Sequence, residues 1–262
     1  MRPYSARRKF GGLFFVGWIS LVVGACNTAN SGDPDAESSV RAEAPRRDIV
    51  SVEENQYSQH GEELIIRDFF QDRRGGVFLD VGAAWPVHYS NTYYLERELD
   101  WSGIAVDAFA DHARRWRNRR PKSTFVNFIV TDHSGGVETF HRALDTNMIG
   151  ISTLTPEEGL GPATEFEEVQ VPTITLTDLL DQAGVSKIDL LSMDIEGHEL
   201  AALAGFDIDR FKPELVCIEV HAAARQPVTE FFAAHGYERL ERYDEHDFAN
   251  YYFTPARATA GR

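Results

Sequence analysis

The strongest constraint on what this chain can fold into is a rhythm. Short apolar runs, GVFLDVG, GIAVDA, STFVNFIVTD, KIDLLSMD and ELVCIEVH, alternate between residues 76 and 221 with segments of helical period, SNTYYLERELD, ADHARRWRNRRPK, TLTDLLDQAG and GHELAALAGF. Runs that are apolar on both faces need covering on both sides, and a helix between successive strands supplies that cover. The pattern therefore predicts an α/β domain with a mostly parallel sheet and right-handed crossovers. A helix over YSQHGEELIIRDFF precedes the first strand, with Leu64, Ile65 and Phe69 on its periodic face. Ser90 is placed to cap the helix that carries Tyr94, Leu95 and Leu99. After the fifth run, PVTEFFAAHGY reads as a helix and YERLERYDEHDFANYYFT as two closing strands.

Ligands of such sheets bind beyond the carboxyl ends of the strands. The polar residues expected there are Asp80 and Gly82 after the first strand, Asp107 after the second, Asp132 after the third, Asp194 and Glu196 after the fourth, and Glu219 and His221 after the fifth. A single acid at a strand end is usually a solvated loop residue. Acids at five successive ends point to a site.

Two ligand classes suit this layout, dinucleotides and S-adenosylmethionine. A dinucleotide pyrophosphate needs several glycines opening a helix so that backbone N–H groups reach the phosphates. The first turn here, GAAWPVHYSN, has one glycine and a proline. S-adenosylmethionine carries no phosphate, so its methionine part needs only a bare turn near Gly82. A carboxylate at the second strand end, Asp107, has two acceptor oxygens for the two ribose hydroxyls. Topology then places Asp132 against the adenine amino group.

The blocks LDVGAA, SNTYYLE, WSGIAVDA, VPTITLTDLL and IDLLSMDIEGHELAALAGF, in this order, resemble the FkbM-type family of S-adenosylmethionine-dependent methyltransferases, over roughly residues 57 to 254. The resemblance implies a class I methyltransferase-like (Rossmann-like) fold, a seven-stranded sheet with one antiparallel strand and helices on both faces. It also implies O-methylation of a hydroxyl on a sugar or secondary metabolite, and cofactor contacts from Asp80, Gly82, Asp107 and Asp132. One departure stands out: many members continue the first turn with Asn and a second Gly, where this chain has Ala84, Trp85 and Pro86. That departure motivates an alternative, a methyltransferase-like domain that no longer catalyses and serves as a binding or trafficking module.

For methyl transfer the catalytic candidates are His198, Glu196 and Asp194. An imidazole titrates near neutrality and suits a general base, while Glu196 or Glu199 would orient it or bind acceptor hydroxyls. The plainer reading has Glu196 and Glu199 complementing a helix N-terminus and His198 exposed on its first turn. Asp194, Glu196, His198 and His221 are also of metal-ligating type, but their spacing matches no ligand signature, so no metal is assigned. Trp85 and His88 are candidates for an acceptor wall. RRWRNRRPK reads as a solvated outer helix, and Cys217, inside LVCIEV, as a small core residue.

Upstream, Arg2, Arg7, Arg8 and Lys9 precede the apolar run LFFVGWISLVVGA, which ends at Cys26. The run is shorter than the ~20 residues that cross a bilayer comfortably, and the layout is that of a signal segment. VGAC resembles a bacterial lipobox, and Arg7 and Arg8 followed by Lys9 and Phe10 resemble a twin-arginine export signal. Residues 1 to 26 are thus expected to be a signal peptide with a lipobox-like end, 27 to 56 a flexible linker poor in large apolar residues, and 57 to 262 the methyltransferase domain. The expected location is an exported, membrane-anchored lipoprotein, with anchoring on the cytoplasmic face as the alternative. The net charge of -15, despite the basic N-terminus, disfavours a nucleic-acid partner. Nothing in the sequence fixes the oligomeric state.

Overall fold

The computed structural model describes residues 46–143 and 165–257. The expected signal peptide, the lipobox cysteine and most of the expected linker lie outside these residues. Seven strands form the main sheet: β1 (Val77–Val81), β2 (Ser102–Asp107), β3 (Ser123–Asn127), β7 (Leu190–Met193), β8 (Leu215–Glu219), β9 (Tyr237–Arg239) and β10 (Asn250–Pro255). Their order is β3-β2-β1-β7-β8-β10-β9. All neighbouring pairs from β3 to β8 are parallel, and β10 runs antiparallel to both β8 and β9. This is the class I methyltransferase-like α/β architecture that the sequence implied.

The two faces follow from the period of two along each strand. Leu79, Val81, Leu191, Met193, Val216 and Ile218 point to one side, where they pack with α5 (Leu176–Gln182), α6 (Glu199–Ala204) and α8 (Arg225–Ala234). Phe78, Leu190, Leu215 and Cys217 point to the other, against Ile65 and Ile66 of α2 (Glu62–Phe70) and Leu95 and Leu99 of α3 (Tyr93–Leu99). Cys217 is a buried core residue, as its setting suggested.

Four local expectations are corrected. First, STFVNFIVTD is two strands rather than one. The Phe128 N–H and the Asn127 side chain both bond the Asp107 carbonyl, at 3.2 and 2.9 Å, and the chain then leaves the main sheet. The following β4 (Ile129–Val130) joins a small sheet with β5 (Val137–Ala143) and β6 (Phe166–Ile174), in the order β4-β6-β5. Asp132 therefore follows a strand of the small sheet.

Second, Ser90 does not cap α3. Thr92 holds the cap position, with its hydroxyl turned to Asp80 at 2.6 Å, while the Ser90 hydroxyl accepts from Arg120. Third, ordered structure begins upstream of Tyr57. Asp48 caps the short helix α1 (Ile49–Val52), Ile49 is buried, and the Ile49 N–H and Arg46 side chain bond Asp68 of α2. The expected linker therefore ends in a docked turn, because α2 offers both an apolar seat and unpaired acceptors.

Fourth, the basic helix α4 (Ala113–Arg119) leads into a buried cation. Arg120 is fully enclosed, pairs with Glu96 at 2.6 Å, and donates to the Pro86 carbonyl, Ser90 and Thr92. Its plane lies 4.5 Å from the centre of the Trp116 ring. Burying an ion pair is costly unless every donor and acceptor is satisfied, and here the satisfied donors stitch the loop after β1 to α3.

Gly82 sits at the end of β1 with φ +79°, and a Cβ there would lie 1.7 Å from the Asp194 carbonyl oxygen. Gly135 has a similar φ of +82° but open space around it. Gly82→Ala is expected to cost more than about 3 kcal/mol in denaturant unfolding, against about 1 kcal/mol for Gly135→Ala, which bears only the backbone term. Equal costs would show that the close approach of β1 to the residue after β7 is not tight.

Candidate active site

The carboxyl ends of β1, β2, β7 and β8 open into a cleft of about 850 Å³. Residues 56 to 60, between α1 and α2, form one wall, and Phe128, Ile129 and Val130 another. The position of the cleft follows from topology: β1 and β7 are neighbours, and the chain departs in opposite directions on either side of them.

The first turn is built without a second glycine. Gly82 and Ala83 donate to the Val106 carbonyl, at 2.9 and 3.2 Å. Ala84 takes a left-handed φ of +32°, held there by two contacts. Its N–H bonds Asp107 Oδ2 at 2.9 Å, and its carbonyl accepts from Trp116 Nε1 at 3.1 Å. Arg120 fixes the Pro86 carbonyl. Trp85 and His88 line the cleft, as expected for an acceptor wall. The Trp85 ring meets His112 edge-on at 5.0 Å and carries the Arg115 guanidinium 4.6 Å above it. Non-glycine residues at positive φ recur around the cleft, at Ala84, Tyr89 and Glu196. Strain of this kind persists only where the surroundings enforce it.

Asp107 lies on the cleft wall at the end of β2. Its Oδ1 accepts from the Phe109 N–H at 2.7 Å and its Oδ2 from Ala84, leaving a second lone pair on each oxygen. Burial raises its pKa to about 6, against the lowering effect of those two backbone bonds. An acceptor carboxylate beside an apolar wall of Phe109, Phe128, Ile129 and Val130 fits a ribose joined to a flat base.

Two expected cofactor contacts are not at the cleft wall. Asp80 precedes the end of β1 by one residue, so the alternation turns it toward α3, where it accepts from Thr92 and feels Arg120. Burial raises its pKa. It touches only a narrow crevice behind the cleft, shared with Asp194 and Ser192. Asp132 is 60% exposed and bonded to His133, which lowers its pKa. It is not among the lining residues, and Phe128, Ile129 and Val130 take the place expected for it.

Asp194, Glu196 and His198 all line the cleft, as the sequence proposed. Asp194 is exposed along the cleft, while the crowding of protein atoms around its carboxyl and then the charge of Glu219 hold its pKa well above the usual carboxylate range. Glu219 is raised as well, to about 7, by burial and then by the charge of Glu196. Glu196 adopts φ +54°, and burial followed by the Asp194 charge raises its pKa to about 7. Glu199 is buried and structural, its Oε1 accepting from the Ile195 and Gly197 N–H groups at 3.2 and 3.1 Å. His198 is half-buried, with Nε2 3.3 Å from the Thr131 hydroxyl. Burial lowers its pKa, against the opposing charges of Glu138, Glu199 and Asp132, so the neutral ring able to accept a proton is favoured.

Three parts of the lining were not carried forward from the sequence: Glu219, Asn250, and the segment containing Tyr57 and His60. Glu219 carried a signal, as an acid at the fifth strand end. Asn250 enters from β10, paired in register with Glu219 across the antiparallel strands, and nothing local in the sequence marks it.

The solved structures include distant likenesses. A TehB-like SAM-dependent methyltransferase from Corynebacterium glutamicum is 13% identical, with 79% of this chain and 92% of that one covered and a TM-score of 0.41. The precorrin-6y C5,15-methyltransferase of Geobacter metallireducens is also 13% identical, covering 73% and 84%, with a TM-score of 0.39. A Burkholderia thailandensis 1,6-didemethyltoxoflavin-N1-methyltransferase, solved with bound 1,6-didemethyltoxoflavin and S-adenosylhomocysteine, is 13% identical, covering 74% and 75%, with a TM-score of 0.36. No curated protein matches the chain. The model of the methyltransferase FkbM domain matches residues 80–239, a span that runs from β1 to β9 and contains most of the cleft. The chain belongs to the FkbM methyltransferase family.

Proposed function

We propose that the protein is an S-adenosylmethionine-dependent O-methyltransferase acting on a hydroxyl of a small molecule or glycan. The observation that carries this reading is Asp107, an acceptor carboxylate at the end of β2 on the wall of an open, apolar-sided cleft. When bound, the sulfonium supplies an already activated methyl group, so the protein's task is alignment and proton removal. Asp107 accepts the ribose hydroxyls, and Phe109, Ile129 and Val130 enclose the base. Gly82 leaves the turn bare for the methionine part. Asp194 and Glu196 hold acceptor hydroxyls, Trp85 offers a flat apolar face to a ring, and neutral His198 takes the acceptor's proton.

A second reading, a domain that binds without catalysing, draws on the strained first turn and on Asp107 already accepting two backbone N–H groups. Calorimetry with S-adenosylmethionine separates the two. Asp107→Ala is expected to abolish binding, while His198→Ala keeps binding and slows transfer. The ionised carboxyl is the stronger acceptor, so affinity is full above the Asp107 pKa of about 6 and falls as pH drops through it, by up to about tenfold per unit. Asp107→Asn would remove that pH dependence. Affinity unchanged in Asp107→Ala would overturn the assignment.

For location we propose that the segment ending at Cys26 tethers the domain to a membrane as a lipoprotein. The basic start, the short apolar run and the lipobox-like VGAC support this reading. No helix among the described residues is long and apolar enough to cross a membrane, so the tether rests on residues outside them. Cys26→Ala is expected to move the protein from the membrane fraction to the soluble one, and unchanged fractionation would count against lipidation.

A further inference from the structure

One wall of the cleft carries more negative charge than methyl transfer requires. Asp194, Glu196 and Glu219 face one another there, and among the described residues no lysine or arginine forms an ion pair with any of them. Their basic neighbour is an imidazole: His221 Nε2 lies 3.2 Å from Glu219 Oε2 and 4.0 Å from Glu196 Oε2. One ligand-type atom from each of Glu196, Glu219 and His221 falls within 4.8 Å of the others. Glu219 Oε2 is enclosed, and its contact with His221 does not align as a hydrogen bond. An enclosed carboxylate oxygen without a donor is costly unless something positive meets it.

From this geometry we infer that Glu196, Glu219 and His221 bind a divalent cation at the acceptor end of the cleft. Ligands about 2.1 Å from a metal stand about 3 Å apart when adjacent. The His221 to Glu219 separation already matches, and small side-chain rotations close the other two. The backbone around the site is fixed. Glu219 ends β8 in register with Asn250, and Glu199 pins the turn that holds Glu196 at positive φ. Two carboxylates and one imidazole suit Mn²⁺ and similar borderline divalent ions, and the cleft leaves positions open for water and a hydroxyl oxygen. Asp194 stands beside the ion and complements its charge. The sequence spacing gave no hint of the set, because the strands that carry Glu196 and Glu219 become neighbours only when β7 pairs with β8.

The ion's chemical use rests on the proposed function: bound to the acceptor hydroxyl, it would lower that group's pKa and orient it toward the methyl donor. The binding site itself does not rest on that reading. The test is titration of the full-length, metal-stripped protein with MnCl₂, followed by calorimetry and by the loss of the free Mn²⁺ electron paramagnetic resonance signal. One ion per chain is expected, with Kd below about 100 µM. Glu219→Gln and His221→Ala should each weaken binding at least tenfold. Asp209→Asn, which alters a carboxylate paired with His235 elsewhere on the surface, should leave it unchanged. S-adenosylmethionine binding measured on the same samples shows that the variants are folded. It also separates the two proposals, since Mn²⁺ binding without cofactor binding would remove the proposed function and keep the metal site. No saturable binding up to about 1 mM Mn²⁺, or equal affinity in the Glu219 and His221 variants, would overturn the inference.

Discussion

The contact on which the site depends is the one between Gly82 and the residue that follows β7. With no side chain at Gly82, the Asp194 carbonyl passes within a distance that a methyl group would occupy. That approach lets β1 and β7 stay paired to their last residues, Val81 beside Met193. The chain then diverges, one way through the Ala84 turn and the other through Glu196. The cleft is the space between these two departures. Both are held open by groups from elsewhere in the fold: Asp107, Trp116 and Arg120 on the first side, Glu199 on the second. The glycine that the sequence offered as a cofactor contact is therefore first a packing requirement, and the bare turn it leaves on the cleft wall follows from it.

The two ends of the cleft differ in charge and chemistry. At the β2 end a single carboxylate faces an apolar wall, which suits a nucleoside. At the β7 and β8 ends several carboxyl groups crowd one another, and burial with mutual repulsion raises Glu196 and Asp194 above the usual carboxylate range. One end thus suits recognition by shape and a diol, and the other carries groups that exchange protons. His198 lines the same cleft, against Thr131.

Much of this was legible in the sequence because the alternation of apolar runs and helices fixes the sheet, and a parallel sheet fixes where ligands go. Asp107, Asp194, Glu196 and His198 were singled out for that reason, and all four line the cleft. The failures have separate causes. Asp80 sits one residue from the strand end, and parity turned it to the opposite face. Asp132 was lost because a ten-residue apolar run looked like one strand, when the Asp107 carbonyl diverts it after Asn127. Arg120 looked solvated among its neighbouring cations, and its burial depends on Glu96 and Thr92, more than twenty positions away. The segment at 56 to 60 and Asn250 meet at the cleft only through tertiary packing.

Under the proposed function this cleft holds S-adenosylmethionine with its ribose on Asp107 and its methyl group directed toward the acids after β7 and β8. A crystal structure of the protein with S-adenosylhomocysteine tests it directly. The expected result is both ribose hydroxyls within hydrogen-bond distance of Asp107, the base against Phe109 and Ile129, and the sulfur facing Asp194. A ligand bound elsewhere, or one whose ribose makes no contact with Asp107, would contradict the account.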